Sequence, residues 1–299
     1  MSDAVSDPAN FIQPGSEEAV KALVDVLDLE EIDDDLFRGH SQDNGRGRSF
    51  GGQVAAQALM AGMRSVPEEF FVHSMHSYFL LPGDPSESIV YDVERIRDGR
   101  SFLTRRIVAR QHGRPIYFMT ANFHRHEEGF EHQDVMPDVL PPEQGLDFLA
   151  GMRRRTDLEG QRLAQEWAVV EGRAVGHSLQ GGLEDDPAHP SRQRVWLKIN
   201  GRLPDDPMIH LGAFTWASDI SLLGASLAAH TSDFGSIQMA SLDHAIWFHR
   251  PFRADEWWLY DQVSPSAQGG RGLSIGRVFT QDGRLVATAA QEGLIRPPR

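Results

Sequence analysis

Residues 215–224 read TWASDISLLG, which sets Asp219 among apolar neighbours. A carboxylate in such company is costly to bury unless it is hydrogen-bonded. The stretch DDP at 205–207 starts a helix, with Asp206 as its cap and Pro207 at the first helical position. If that helix runs on over 207–229, Asp219 lies about three and a half turns inside and is not its N-cap. Helical spacing then gives it a face with Thr215, Trp216, Leu222 and Leu223. A proton-accepting group and a structural polar link both remain open. Ser241, in ASLDHAIWFHR, offers a hydroxyl on the following strand. Asp243 and His244 are adjacent there and face opposite sides of a regular strand, whereas Ser241 and Asp243 share a side. Gln291, in LVATAAQEGLI, offers an amide after five small or apolar residues. The ordinary reading of Ser241 and Gln291 is a polar group satisfied by nearby backbone.

Four other stretches carry weaker signals. GHSLQG at 176–181 has one residue too many for G-x-S-x-G, and no doubly wound pattern surrounds it. GRGRSFGG at 45–52 lacks the GK[ST] of a P-loop. Gly51 and Gly52 nevertheless open a helix, and their amides suit a phosphate or a developing oxyanion. HRHEEGFEH at 124–132 has metal-ligand residue types without helical H-E-x-x-H spacing, so it reads as a solvated turn and no metal is expected. GGRG at 269–272 presents Arg271 beside Gly272, either as a phosphate contact or as a bulge.

The elements that must position these residues occur twice. SFGGQVAAQALMAGMR (49–64) has helical spacing and is followed by strand-like FVHSMHSYFLL, SIVYDVERIR, SFLTRRIVAR and PIYFMTANFH. The breaks PGDP, DGR and HGR are turn chemistry. The second half repeats the order: the 207–229 helix, then MASLDHAIWFHRPF, WWLYDQVSP, GLSIGRVFTQ and LVATAAQEGLI. Gly52-Gln53 matches Ser218-Asp219, Met75-His76 matches Asp243-His244, and Gly113-Arg114 matches Gly283-Arg284. This register puts Ala121 opposite Gln291 as its counterpart. Each unit also has a candidate first strand, at 29–41 and 167–175. The reading is a tandem duplication of one helix-plus-sheet unit, an α+β architecture whose copies pair edge to edge around their long helices. The boundaries are 15–130 and 165–299, joined by an acidic, proline-rich linker with a short helix at 131–164. GHSLQGGLEDDPAHPSRQR reads as a long loop within the second unit.

Bulk properties narrow the chemistry. The 29 basic and 43 acidic residues leave a net charge of −14, so a global nucleic-acid footprint is not expected and an anionic ligand needs a local basic patch. Cysteine is absent, which excludes disulfides, thiolate metal sites and a cysteine nucleophile. No basic n-region with an apolar h-region opens the chain and no apolar run approaches the ~18 residues of a membrane span. The closing IRPPR is not a peroxisomal address. A cytoplasmic protein without membrane insertion is the expectation.

The ordered motifs SFGGQVAAQAL, RDGRSFLTRRIVARQHGRPIYFM, SLDHAIWFHRPFRADEWWLY and QDGRLVATAAQEGLIR resemble the type II acyl-CoA thioesterases, that is, bacterial thioesterase II and its peroxisomal relatives. The resemblance covers roughly 15–130 and 165–299 and implies a double hotdog fold. It implies an Asp, Ser/Thr and Gln site, which falls on Asp219, Ser241 and Gln291, with Ser where some relatives have Thr. It also implies an acyl-CoA substrate and no cofactor. The expected mechanism is attack by a water that Asp219 deprotonates and Ser241 and Gln291 orient, with the Asp219 pKa raised by partial burial. Gly51, Gly52, Arg271 and Gly272 are candidates for substrate contact. Exposed sheet edges suggest a homodimer or tetramer. Two rivals stay open: a hotdog enoyl-CoA hydratase or dehydratase, for which His76 and His244 supply the residue type, and a non-catalytic acyl-CoA-binding protein.

Overall fold

The computed structural model describes residues 15–41, 47–154, 157–183, 189–231 and 237–297. Residues 1–14, 42–46, 155–156, 184–188, 232–236 and 298–299, parts of the units and motifs named from the sequence among them, lie outside the described residues. The first half runs α1 (Glu17–Leu27), β1 (Glu30–Asp33), β2 (Leu36–Gly39), α2 (Gly51–Arg64), β3 (Phe70–Phe79), β4 (Ile89–Asp98), β5 (Phe102–Gln111) and β6 (Arg114–Arg125). Then come β7 (Leu146–Asp147), α3 (Ala150–Arg153) and α4 (Leu158–Glu166). The second half runs β8 (Val170–His177), β9 (Ser191–Ile199), α5 (Pro207–Ser218), β10 (Gln238–Ser241), β11 (Asp243–Phe248), β12 (Trp258–Gln268), β13 (Arg271–Thr280) and β14 (Leu285–Arg296).

Among the described residues the strands form one antiparallel sheet, ordered β1-β2-β4-β5-β6-β3-β11-β14-β13-β12-β9-β8-β7, with β10 also paired to β14. The two halves meet at β3 and β11, where His244 lies opposite Ser77 and Ala245 opposite His76. That register exchanges His76 with His244 and Ser77 with Ala245, as the duplication requires. Ser77 pairs with Met119 and Ala245 with Ala290. The counterpart of Gln291 is therefore Thr120, one residue from the expected Ala121. The offset changes because the β5–β6 and β13–β14 hairpins shift register at different points.

Helix α2 is buried from Gly52 to Met63, with alanines at 55, 56, 58 and 61. Small side chains on every face let the sheet curl around it and let α5 pack closely on it. Helix α1 was not anticipated from the sequence. Ser16 caps it by accepting from Ala19 N–H, and it buries Ala19, Val20, Leu23, Val26 and Leu27.

The structure corrects three expectations. The 29–41 strand is a hairpin, turning at Asp35 with φ 58°. The long loop ends early, because residues 191–194 already belong to β9, whose Arg194 is buried against Asp261 at 2.9 Å. The 207–229 helix stops at Ser218, and Leu222–Ser226 form a separate 3-10 turn. Serines compete for the helical carbonyls: Ser218 donates to Thr215 O and Ser226 to Leu223 O. Carbonyls in the broken stretch are taken by side chains of β9, with Gln193 donating to Ser221 O and Ser191 to Ala225 O. The linker also lies on the second half of the sheet, with Trp196 Nε1 donating to Leu140 O and Arg277 paired to Asp134.

Candidate active site

The break in the second long helix places the carboxylate. Asp219 is the C-cap of α5, after the helix that Asp206 and Pro207 begin. Its side chain is 6 % exposed. A negative charge at a helix C-terminus opposes the macrodipole, but Asp219 also stands at the N-terminus of α2. The Gly52 N–H donates to it, and Phe50, the N-cap of α2, makes no side-chain capping bond of its own. The carboxylate thus caps the other unit's helix. This close approach needs both glycines. A Cβ on Gly51 would fall 2.8 Å from Asp219 Oδ2, and one on Gly52 would fall 2.3 Å from Trp216 O.

Three sequence-predicted residues come together here. Gln291 Nε2 donates to Asp219 Oδ1 at 2.6 Å and to Ser241 Oγ at 2.9 Å. Ser241 Oγ donates to the same Asp219 oxygen at 3.3 Å. Another buried glutamine, Gln57, provides an internal contrast. Its Nε2 donates to Val26 O and His40 O, and its Oε1 accepts from Tyr91, which is a closed structural arrangement. Gln291 is also fully buried, yet its Oε1 has no hydrogen-bond partner among the described residues.

His244 joins the site as well. Regular alternation puts Ser241 and His244 on opposite faces, but the strand breaks between them. Ser241 lies opposite Gly293 of β14, Asp243 lies opposite Tyr78 of β3, and Leu242 bridges by donating to Glu292 O and accepting from Phe79 N. Both Ser241 and His244 consequently face Asp219. His244 Nδ1 is 4.0 Å from Asp219 Oδ1 and has no hydrogen-bond partner among the described residues. Asp243 instead accepts from Glu292 N–H at 2.7 Å, which holds β11 to β14. The irregular strand is what sequence reasoning lacked.

Asp219 has no Lys or Arg ion-pair partner among the described residues. Burial pushes its pKa up from the ordinary carboxylate value to about 6, while the bonds from Gln291, Ser241 and Gly52 pull it down and the charge of Glu166 pushes it up. Burial lowers the His244 pKa to about 4, so its imidazole is neutral near pH 7. The remaining predicted contacts lie at the surface or in packing. Arg271 is exposed and paired with Glu292 at 3.1 Å. Gly272 lets β13 lie against Ser226 of the 3-10 turn. Ser178 of GHSLQG accepts from Arg192 N–H and donates to Arg192 O, which closes a turn.

A helix wrapped by an antiparallel sheet, present twice and joined at a central strand pair, is a tandem hotdog of the α+β class. The match to family models is consistent with this: the acyl-CoA thioesterase model matches residues 181–294 and the acyl-CoA thioesterase N-terminal domain model matches 40–124. The chain is 41% identical over 276 residues to acyl-CoA thioesterase 2 of Haemophilus influenzae, covering 92% of this chain and 96% of that protein. It is 40% identical to human acyl-coenzyme A thioesterase 8, covering 91% and 88% of the two chains. The crystal structure of an acyl-CoA thioesterase II, TesB2, from Mycobacterium marinum superposes with a TM-score of 0.80 at 42% identity, over 92% of this chain and 98% of that one. The chain belongs to the type II acyl-CoA thioesterase family.

Proposed function

We propose that this thioester hydrolase uses Asp219 as the general base for direct attack of water on an acyl-CoA thioester. The observation that carries the reading is a buried carboxylate with no Lys or Arg partner among the described residues, held by two neutral donors on one oxygen. A purely structural carboxylate in that position costs several kcal/mol without a balancing charge. A base with a pKa of about 6 is ionised at neutral pH and still accepts a proton readily.

The water oxygen bonds to the thioester carbonyl carbon while one of its protons passes to Asp219. The negative charge that develops on the carbonyl oxygen is stabilised by the amide of Gly51 at the opening of α2, because the Gly52 N–H is already donated to Asp219. Collapse of the tetrahedral intermediate breaks the carbon–sulfur bond. The departing thiolate takes the proton from Asp219, and the products are a carboxylic acid and coenzyme A. Gln291 and Ser241 hold the Asp219 carboxylate in position through their bonds to Oδ1. Arg271 remains the proposed contact for the anionic coenzyme A portion, whereas Gly272 is buried against Ser226 and serves packing. The units at 15–130 and 165–299 act together in this reading, because Gly52 and Asp219 come from different ones.

The reading includes a cytoplasmic location, testable by cell fractionation. It also includes a dimer or tetramer, supported by the exposed aromatics Tyr78 and Trp247 on β3 and β11. Thiol release from acyl-CoAs of graded chain length, with wild type beside Asp219→Asn, tests the catalytic assignment. Loss of turnover in a folded variant that still binds acyl-CoA is expected; near-normal hydrolysis by that variant sinks it.

A further inference from the structure

His244 is a buried, neutral, chemically competent side chain to which the proposed water attack gives no task. Its tautomer follows from its neighbours. The Ser218 hydroxyl has a single proton, which it donates to Thr215 O at 2.9 Å. Toward His244 Nε2, 3.4 Å away, Ser218 Oγ can therefore only accept. The ring proton sits on Nε2, and Nδ1 presents a bare lone pair. That lone pair has no partner among the described residues and lies 4.0 Å from Asp219 Oδ1. The ring is held in place, since His244 is 0 % exposed and its backbone carbonyl accepts from Ser77 Oγ at 2.7 Å.

Two acceptors facing each other at this distance repel unless a donor joins them. An oxygen about 2.8 Å from each would see them at an angle of roughly 90°, close to the angle between the two O–H bonds of water. Building on the reading of Asp219 as the base, we propose that His244 is a further catalytic residue whose Nδ1 accepts the second O–H bond of the attacking water. One O–H bond breaks toward Asp219 Oδ1, which the water reaches by displacing the long 3.3 Å bond from Ser241. The other stays intact, becomes the hydroxyl of the tetrahedral intermediate and keeps donating to His244. With both hydrogens directed, the remaining oxygen lone pairs are directed as well, and attack proceeds from a near-reactive geometry. The proton goes to Asp219 because its carboxylate is the stronger base of the two, at about 6 against about 4.

Two amide substitutions separate the ring's two nitrogens. His244→Gln places an amide where Nε2 lies and keeps a donor for Ser218, but removes the acceptor at Nδ1. His244→Asn places its amide near Nδ1 and restores an acceptor there. Steady-state thiol release should show kcat reduced about 100-fold in His244→Gln with KM changed less than about 3-fold, and recovery to within about 10-fold of wild type in His244→Asn. Wild-type kcat in His244→Gln overturns the proposal and makes Gln291 Oε1 the water's second acceptor. Equal losses in both variants, in step with their melting temperatures, overturn it in favour of a structural role. Nitrogen-15 NMR of the wild-type imidazole gives a readout independent of variant folding: the Nε2–H tautomer is expected, and the Nδ1–H tautomer overturns the proposal. Asp219→Asn assayed in parallel separates the two ideas, since activity retained there refutes the base and leaves the histidine result to be judged by its own tautomer.

Discussion

Replacing Asp219 by Asn should make the folded protein more stable at neutral pH while removing its activity. Burial raises the Asp219 pKa from 3.8 to about 6, so ionising this group costs more in the folded chain than in the unfolded one. A shift of about 2 units corresponds to about 3 kcal/mol of destabilisation, fully present above the folded pKa and lost as pH falls through the interval toward the unfolded value. Asparagine removes that penalty but brings a new conflict. Its carbonyl can accept the bonds from Gln291 and Ser241, which leaves its NH2 group facing the opening of α2, where Gly52 N–H donates to the native carboxylate. Two opposed donors cost about 1 kcal/mol. The net gain is then about 2 kcal/mol at pH 8, equivalent to about 3 °C in melting temperature for a chain of this size. Linkage reduces the ionisation part by about half at pH 5. Thermal or urea unfolding of wild type and variant across pH 5 to 8 measures this difference. A stability difference that does not change with pH, or a variant less stable than wild type at pH 8, refutes the argument that Asp219 is a desolvated, unbalanced base.

Other outcomes follow from the same contacts. The Gln291 bond lowers the Asp219 pKa, so Gln291→Ala should move the acid limb of the kcat/KM profile to higher pH and reduce kcat about 100-fold; a pH–rate profile from pH 5 to 9 checks the direction. Ser241→Ala should retain part of the rate and Ser241→Thr most of it, because the hydroxyl only orients the carboxylate; complete loss in the folded alanine variant, measured as thiol release, would point to an acyl-serine intermediate. Gly52→Ala puts a methyl group against Trp216 O, at 2.3 Å before relaxation, and should cost about 2 kcal/mol or more by urea unfolding and lower kcat by displacing Asp219. His244→Gln and His244→Asn complete the set.

Several local features are legible in the sequence because they depend on residues close together in the chain. The Asp206-Pro207 helix start, the turns at Gly113 and Gly283 and the strand alternation of β5 and β13 are decided within a few residues. Helix α1 carries the same kind of local signal, in the cap Ser16 and the apolar spacing at 20, 23 and 27. Strand β9 was not legible in this way. Its SRQR start has the composition of a loop and becomes a buried strand only because Asp261 on a distant strand meets Arg194. The end of α5 was equally hidden, since the carbonyls released at the break are satisfied by Gln193 and Ser191 from β9.

Sequence by itself determined the duplication, the helix-then-sheet order of each unit, and the residue types able to do the chemistry. It named Asp219, Ser241 and Gln291, with the family resemblance singling them out from polar residues of ordinary structural use. Only the tertiary structure decided how those groups face one another. The helix ends at Asp219, so the carboxylate can cap the other unit's helix through Gly52. The strand breaks at Leu242, so Ser241 and His244, three residues apart, turn to the same oxygen. Spacing along a regular helix or strand cannot express either arrangement. Both arise where the periodicity fails, and what makes the failure tolerable is hydrogen bonding supplied by residues far away in the chain.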